Sequence, residues 1–518
     1  MIKILISAPS TKEKITDTRW VTAPLGCHYL ASYLNNNGHK AVVWDINIDK
    51  ESFEDTVKKG TWDIIAFSTQ EATLEYDLSK IHLSKKLSPK SLLIAGGTGA
   101  SLNYQEYFNH SPLDMVVQAE GEIPLLQLCN MLDKDGFDKS PLHTIKGLII
   151  RNYAEFLTPE KHWEIRKCLN VRDMKQDLYW KETARLYENP DYNEINTFRL
   201  YTSNFCPMNC SFCTLTRLRE YSCGKKGHPV IVLDASKVVH LIKKVLKVHK
   251  NCKQIFFVDD DFFIDKQRGI DFCKRIIELK KLAVIPKYLK FICLTNINRI
   301  DEDNIELIAK AGFRVLSIGV ESTSQHVLDS LDKKQTVDWI WKTTKLILQH
   351  NIKPYYTLLM WTSFCTIADI VTDLRGFRKL AKMDAGLSIE PYLIPLKGTR
   401  LAEERVEERV RKVLIKGTNK FIYKGFAWLP MNKEVKPVFE YFEEIYPKYR
   451  KLMFDKNKGK HLEKNWQAKI ILDCVEIALR KFNYIGQEEV ENVTEVLDSI
   501  KDIKSCDVDI IGNVIEKE

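Results

Sequence analysis

The sequence predicts an α/β protein in three parts: a doubly wound parallel sheet, a partial parallel barrel of six β/α units, and a mainly helical C-terminal region. Three observations predict it. Short apolar runs ending in small or polar residues alternate with amphipathic stretches over residues 1–150, and again over 196–400. That alternation marks parallel sheets covered by helices. Residues 151–195 between them are charged and aromatic, with Trp163, Tyr179, Trp180 and Tyr187, and lack apolar periodicity. Beyond residue 400, apolar residues recur at helical spacing. A chain of 518 residues has room for about three domains.

In the first part, strands are expected at Ile4–Ile6, Ala41–Trp44, Asp63–Ser68, Ser91–Ala95 and Met115–Val117, with a last small one at Gly147–Ile150. A helix over Cys27–Asn36 places Tyr29, Leu30, Tyr33 and Leu34 on one face. The result is a Rossmann-like sheet, which binds ligands at the carboxyl ends of its strands. The residues expected there are Ser68-Thr69-Gln70, Gly96-Gly97 and Gly121-Glu122. They are small or polar and let a large ligand approach the backbone.

Residues 151–195 read as an ordered linker, since a free tail carries fewer aromatics. Residues 196–400 then supply six strands: Phe198–Thr202, Gln254–Val258, Phe291–Leu294, Val315–Val320, Tyr355–Met360 and Leu387–Tyr392. This is a partial TIM-type barrel, and polar residues gather where its strands end, the functional face of such barrels.

The first barrel strand runs into Cys206-Pro207-Met208-Asn209-Cys210-Ser211-Phe212-Cys213, three thiols in eight residues. Thiolates bind soft metal centres, and a loop of this spacing can wrap a cluster corner. Three ligands leave one iron of a four-iron cluster open to a substrate. A zinc site needs a fourth ligand, and no second Cys-x-x-Cys or His-x-His follows nearby. The 13 cysteines are otherwise scattered, which suits a reducing, cytoplasmic compartment and not a disulfide framework.

The loop resembles the signature of the radical S-adenosylmethionine (SAM) superfamily, Cys-x-x-x-Cys-x-aromatic-Cys, with Phe212 as the aromatic. Further pieces resemble its cobalamin-dependent branch: Val258-Asp259-Asp260-Asp261-Phe262, Gly319-Val320-Glu321-Ser322 followed by Ser324-Gln325-His326-Val327-Leu328, and Pro395-Leu396-Lys397-Gly398-Thr399. The first part is similar to the cobalamin-binding domain upstream of that branch, through Pro24-Leu25-Gly26, Gly38-His39, Gly96-Gly97 and Glu120-Gly121-Glu122.

The resemblance implies that Cys206, Cys210 and Cys213 hold a 4Fe–4S cluster whose open iron takes the methionine end of SAM. It implies SAM contacts from Phe212, from Asp260 or Asp261 to the amino group, and from Glu321 and Ser322. It assigns Ser68, Thr69, Gln70, Gly96, Gly97, Gly121 and Glu122 to cobalamin. No Asp-x-His-x-x-Gly occurs, so no histidine is placed to ligate cobalt from below, and Thr69 and Gln70 are the candidates there. His28 and His39 read as structural. A second departure lies after the fifth barrel strand, where Trp361 either shapes the pocket or packs in the core and Cys365 reads as an inert buried thiol.

The implied function is a cobalamin-dependent radical SAM methyltransferase. A 5′-deoxyadenosyl radical would abstract hydrogen, and methylcobalamin would methylate an unactivated carbon or phosphorus of a small molecule or peptide. Alternatives are an oxidoreductase, cyclase or rearranging enzyme of the same architecture, and an RNA methylthiotransferase. The last class carries three further cluster cysteines in its first domain, where this chain has Cys27 and Cys129 before residue 150. The implied partner is a flavodoxin- or ferredoxin-type electron donor. The net charge of +9 is dispersed, so no nucleic-acid surface is expected, and no apolar run approaches the ~20 residues of a membrane span. In the last region, helices are expected at Leu401–Ile415, Val438–Met453, Ala468–Phe482 and Val490–Ile500.

Overall fold

A computed structural model describes residues 1–10, 21–136, 141–153, 169–186, 196–204, 206–223, 232–394, 396–404, 408–456, 465–486, 493–501, 507–508 and 514–515. Trp163 and Tyr187 of the linker, and Pro395 of the Pro-x-x-Gly-Thr segment, lie outside these residues.

The first sheet contains β1 (Lys3–Ser7), β2 (Lys40–Trp44), β3 (Ile64–Ser68), β4 (Leu92–Gly96), β5 (Met115–Val117) and β6 (Leu148–Ile150). Its spatial order is β2-β1-β3-β4-β5-β6. Neighbours pair in parallel except β5 with β6, which is antiparallel. Five helices connect it: α1 (Leu25–Asn36), α2 (Phe53–Lys59), α3 (Leu74–Leu87), α4 (Thr98–His110) and α5 (Glu122–Asp135). The strands are apolar on both faces because both are covered. Ile4, Ile6, Ile64 and Ile94 join one core with Leu34 and Leu128, while Leu5, Ile65 and Leu93 join the other with Leu78 and Ile81.

In the linker, α6 (Gln176–Leu186) ties both sheets together. Tyr179 donates to Asp45 at 3.0 Å, Trp180 Nε1 to the carbonyl of Thr197 at 2.9 Å, and Thr183 to the carbonyl of Val21 at 3.0 Å.

The second sheet runs in chain order through β7 (Thr197–Leu200), β8 (Gln254–Phe257), β9 (Lys290–Thr295), β10 (Phe313–Glu321), β11 (Lys353–Trp361) and β12 (Gly386–Tyr392). All five pairings are parallel, and β7 does not pair with β12, so the barrel stays open. Its helices are α7 (Thr214–Cys223), α8 (Ala235–Val248), α9 (Lys266–Lys281), α10 (Ile305–Ala311), α11 (Gln325–Ser330), α12 (Val337–Gln349) and α13 (Ile367–Lys382). Asp234 caps α8 by accepting from the Lys237 amide at 2.9 Å, and Val238, Leu241, Ile242 and Val245 are buried on its inner face. Stacked phenylalanines fill the barrel wall, with Phe257 and Phe262 centred 4.3 Å apart and Phe272, Phe291 and Phe313 around them. Each such buried ring is worth about 1.5–3 kcal/mol of transfer energy.

The last region corrects one expectation. Leu401–Ile415 is not a helix. After α14 (Arg400–Glu403), β13 (Glu408–Leu414) pairs antiparallel with β14 (Phe421–Trp428). The turn residues Lys416-Gly417-Thr418-Asn419 separate two runs rich in β-branched and aromatic residues. Ile415 and Ile422 of this hairpin enter a core of the first sheet. The other three expected helices form as α15 (Val435–Lys456), α16 (Trp466–Lys481) and α17 (Val493–Lys501). Among the described residues no helix is long and apolar enough to cross a membrane.

Candidate active site: a cysteine loop and an interdomain cavity

The cysteine loop leaves β7 and ends at the first turn of α7. Asn209 has a left-handed backbone, φ +58°, which lets the chain turn between Cys206 and Cys210. The Cys213 amide donates to the carbonyl of Cys210 at 3.2 Å, and the Ser211 amide to that of Leu331 at 3.0 Å. At its base, Asp259 accepts from the amides of Thr202 and Ser203, so a buried carboxylate fixes the chain before the first thiol.

Burial pushes the Cys206 thiol up to about 12 and that of Cys213 up to about 11, against the amides of Met208 and Leu215. Burial also raises Cys210, opposed by the Lys333 cation. Among the described residues no group of three His, Cys, Asp or Glu converges on one metal ion. Three thiols within eight residues of one loop suit a cluster that takes one thiolate per iron.

Beside the loop, Phe212 is half-buried, with the Lys333 ammonium 5.8 Å from its ring centre. Lys333 Nζ donates to Glu321 Oε1 at 2.7 Å, and both side chains are about nine-tenths buried. Glu321 sits at φ +68°, where the register of β10 against β11 shifts. A Cβ on Gly319 would lie 2.6 Å from Glu321 Oε1, so glycine there makes room for the pair. Ser322 donates to Asp373 at 2.7 Å, and Asp373 also accepts from Thr323 Oγ1 at 2.8 Å. Burial pushes Asp373 up to about 7 against those bonds. The Ser322 hydroxyl is thus committed to α13.

The two acidic candidates separate. Asp261 is buried and accepts from Arg299 Nε at 2.9 Å and Thr295 Oγ1 at 2.9 Å. Asp260 is half-buried and lines a large cavity.

That cavity, about 670 Å³, lies between the first sheet and the barrel. All seven residues expected at the strand ends line it: Ser68, Thr69, Gln70, Gly96, Gly97, Gly121 and Glu122. Tyr201, Ser203, Asn204, Leu215 and Asp260 line it from the barrel, next to the cysteine loop. Gly97 is at φ +88°, and a Cβ there would sit 2.6 Å from the Thr69 carbonyl oxygen. Thr69 Oγ1 donates to the carbonyl of Gly96 at 2.8 Å and accepts from the Ala100 amide at 2.8 Å. It therefore stitches β3 to β4, while Gln70, at the same strand end, is exposed and lines the cavity. No histidine is among the described lining residues. His39 bridges the Ile2 amide and Asn130, and His28 packs edge-on to Tyr179 with ring centres 6.3 Å apart. Small strand-end residues around an open cavity fit a bulky planar ligand, and the donor set offers no imidazole from below.

Trp361 is buried against Phe439 and Phe442 of α15 and belongs to the core. Cys365 is buried, its thiol pushed up to about 12 by burial. Asp259, Lys333 and Asp373 escaped the sequence reading. Asp259 lay in the quoted triplet of aspartates, whereas nothing local to Lys333 or Asp373 signals a role, since each acts through a distant partner.

Residues 200–371 match the radical SAM superfamily and residues 17–129 match the B12 binding domain. The chain therefore carries both a B12 binding domain and a radical SAM domain, the pair that marks cobalamin-dependent radical SAM enzymes. The cofactors that go with these two domains are a 4Fe–4S cluster, SAM and cobalamin. Among curated relatives, the anaerobic magnesium-protoporphyrin IX monomethyl ester cyclase of Rubrivivax gelatinosus is 24% identical over 64% of this chain and 57% of its own length. The chain thus spans little more than half of that cyclase. The uncharacterized methyltransferase PH0819 of Pyrococcus horikoshii is 23% identical over 68% of this chain and 73% of its own. In fold, the chain is similar to the radical SAM methyltransferase TsrM of Kitasatospora setae, solved with tryptophan and a SAM analogue (TM-score 0.61, 14% identity, 83% of this chain and 80% of that one). It is also similar to OxsB with aqua-cobalamin and SAM bound (TM-score 0.64, 14% identity, 97% and 79%).

Proposed function

We propose that the protein is a methyltransferase that moves a methyl group to an unactivated carbon or phosphorus of a small molecule or peptide. The observation that carries this reading is the shared cavity: the strand ends of the first sheet and the residues flanking the cysteine loop open on one space. A bound cluster would supply the electron for reductive cleavage of SAM, and bound cobalamin would supply the methyl group. Cys206, Cys210 and Cys213 hold the cluster. Phe212 packs beside SAM, Asp260 accepts from its ammonium, and the buried Glu321–Lys333 pair offers both charges to its methionine end. Asp261, through Arg299, and Ser322, through Asp373, fix the shape of that site. Gln70 and Thr69 would be the candidates to meet cobalamin at the end of β3, while Gly96, Gly97 and Gly121 would leave room for its body and Ser68 and Glu122 would border it. Residues 1–150, 151–195, 196–400 and 401–518 serve as cobalamin domain, connector, radical barrel and closing region. A flavodoxin- or ferredoxin-type protein delivers the electron.

The relatives support this at two levels. PH0819 and the cytidylyl-2-hydroxyethylphosphonate methyltransferase of Streptomyces wedmorensis carry methyltransferase names, the latter 21% identical over 64% of this chain. The cyclase of Rubrivivax gelatinosus favours the second reading, radical chemistry without methyl transfer. An RNA methylthiotransferase carries three further cluster cysteines in its first domain, where this chain has two before residue 150, Cys27 and Cys129, both buried.

Product analysis under anoxic turnover separates the readings. Methyl transfer yields 5′-deoxyadenosine and S-adenosylhomocysteine in equal amounts, and a product three mass units heavier when SAM carries a trideuterated methyl. Release of 5′-deoxyadenosine without S-adenosylhomocysteine would favour the cyclase-type reading.

A further inference from the structure

Arg199 is the one arginine or lysine among the described residues lining the interdomain cavity, where four carboxylate residues, Asp45, Glu120, Glu122 and Asp260, also stand. None of them pairs with it. Its guanidinium donates from one terminal nitrogen to Thr22 Oγ1 at 3.1 Å and lies 5.4 Å from the ring centre of Phe256. Its Nε is buried without a hydrogen-bond partner. Burial lowers its pKa, opposed by the Tyr201 side chain.

A guanidinium carries five donors and cannot shed its proton in a protein. Withdrawing it from water without a counter-ion is costly, and leaving Nε unpaired adds to that cost. Such a group persists where an anion completes it. Arg199 also stands on β7, at the open edge of the barrel, and reaches Thr22, just ahead of α1. It therefore faces the seam between the two cofactor domains.

We propose that Arg199 anchors an oxyanion, a phosphate, phosphonate or carboxylate group, inside the cavity. This rests on the reading of the cavity as the cobalamin site. The oxyanion has two possible sources with the same chemistry: an anionic group of the substrate, or the phosphodiester in the nucleotide tail of cobalamin.

The test uses full-length protein, purified without oxygen, with Arg199→Gln and Arg199→Lys. Hydroxocobalamin and cobinamide, which lacks the phosphodiester, are titrated by absorbance. Thermal unfolding is followed with inorganic phosphate, methylphosphonate or acetate at matched ionic strength, with and without corrin. A charge-assisted bond is worth about tenfold to hundredfold in affinity. If the corrin supplies the anion, Arg199→Gln weakens hydroxocobalamin by that factor, leaves cobinamide unchanged, and Arg199→Lys recovers part. If the substrate supplies it, both corrins bind all variants alike, while one of the anions stabilises the wild type and not Arg199→Gln. Equal weakening of both corrins without any anion response would overturn the proposal, because Arg199 would then act by packing alone. So would unchanged corrin binding with no anion response. If the wild type takes up no corrin, the cobalamin reading fails, and the anion response of the cofactor-free protein decides the role of Arg199 by itself.

Discussion

At the scale of residues, the site is a set of groups whose surroundings are set by distant partners. Cys206, Cys210 and Cys213 were legible because their spacing, three thiols in eight residues, is a local pattern. Lys333 was not, because its meaning lies in a 2.7 Å contact with Glu321 across twelve positions. Gly97 shows the same limit: its spacing marked a strand end, but φ +88° and the closeness of the Thr69 carbonyl make it a backbone requirement as much as a ligand contact. His28 leads to a prediction about pH. Burial, with the Lys175 cation adding, holds its pKa down to about 4 from 6.5, and its Nε2 has no partner. Below pH 6.5 the unfolded chain binds a proton that the folded chain refuses until about pH 4, so stability is lost as pH falls through that window. His28→Phe should remove this term. Urea midpoints at pH 7, 6 and 5 should therefore converge, or cross, as pH falls; parallel profiles would contradict the assignment.

At the scale of elements, all twelve strands of the two large sheets were legible, because an apolar run ended by a polar residue is a local pattern. The hairpin β13–β14 was misread. Its charges alternate with Val410, Val413 and Leu414 in a way compatible with a helix, and what selects the strand is the Gly417 turn and the distant core that receives Ile415 and Ile422. Another element-scale contact was invisible. Arg378 of α13 pairs with Asp473 at 3.2 Å and with Glu476, both on buried parts of α16, and Glu476 also pairs with Arg480. Breaking such a pair leaves uncompensated charge in the interior and costs about 3–5 kcal/mol. Arg378→Met should therefore destabilise the protein by that order in denaturant unfolding, while Arg378→Met with Asp473→Leu, which keeps Glu476 paired with Arg480, should recover part of it. A loss under 1 kcal/mol in the single variant would show that the network contributes little.

At the scale of the whole molecule, the sequence placed two sets of residues on two sheets but could not join them. The joining is done by α6, through Tyr179 and Trp180, and by the hairpin of the last region. Both contact elements far away in sequence, so the cavity between the domains appears only in the folded chain. The central claim is that one chain carries two separate cofactor sites opening on that cavity. Cys210→Ala removes a ligand of one. Gly26→Trp fills the other: Gly26 lines the cavity, and a Cβ there meets nothing within 4 Å, so the fold tolerates the change. The most direct measurement is the iron and cobalt content of anoxically reconstituted wild type and these two variants. Wild type should hold about four irons and about one cobalt per chain. Cys210→Ala should lose the iron and keep the cobalt, and Gly26→Trp should keep the iron and lose the cobalt. Retention of a four-iron cluster in Cys210→Ala, or of cobalt in Gly26→Trp, or loss of both metals together in either variant, would contradict the account.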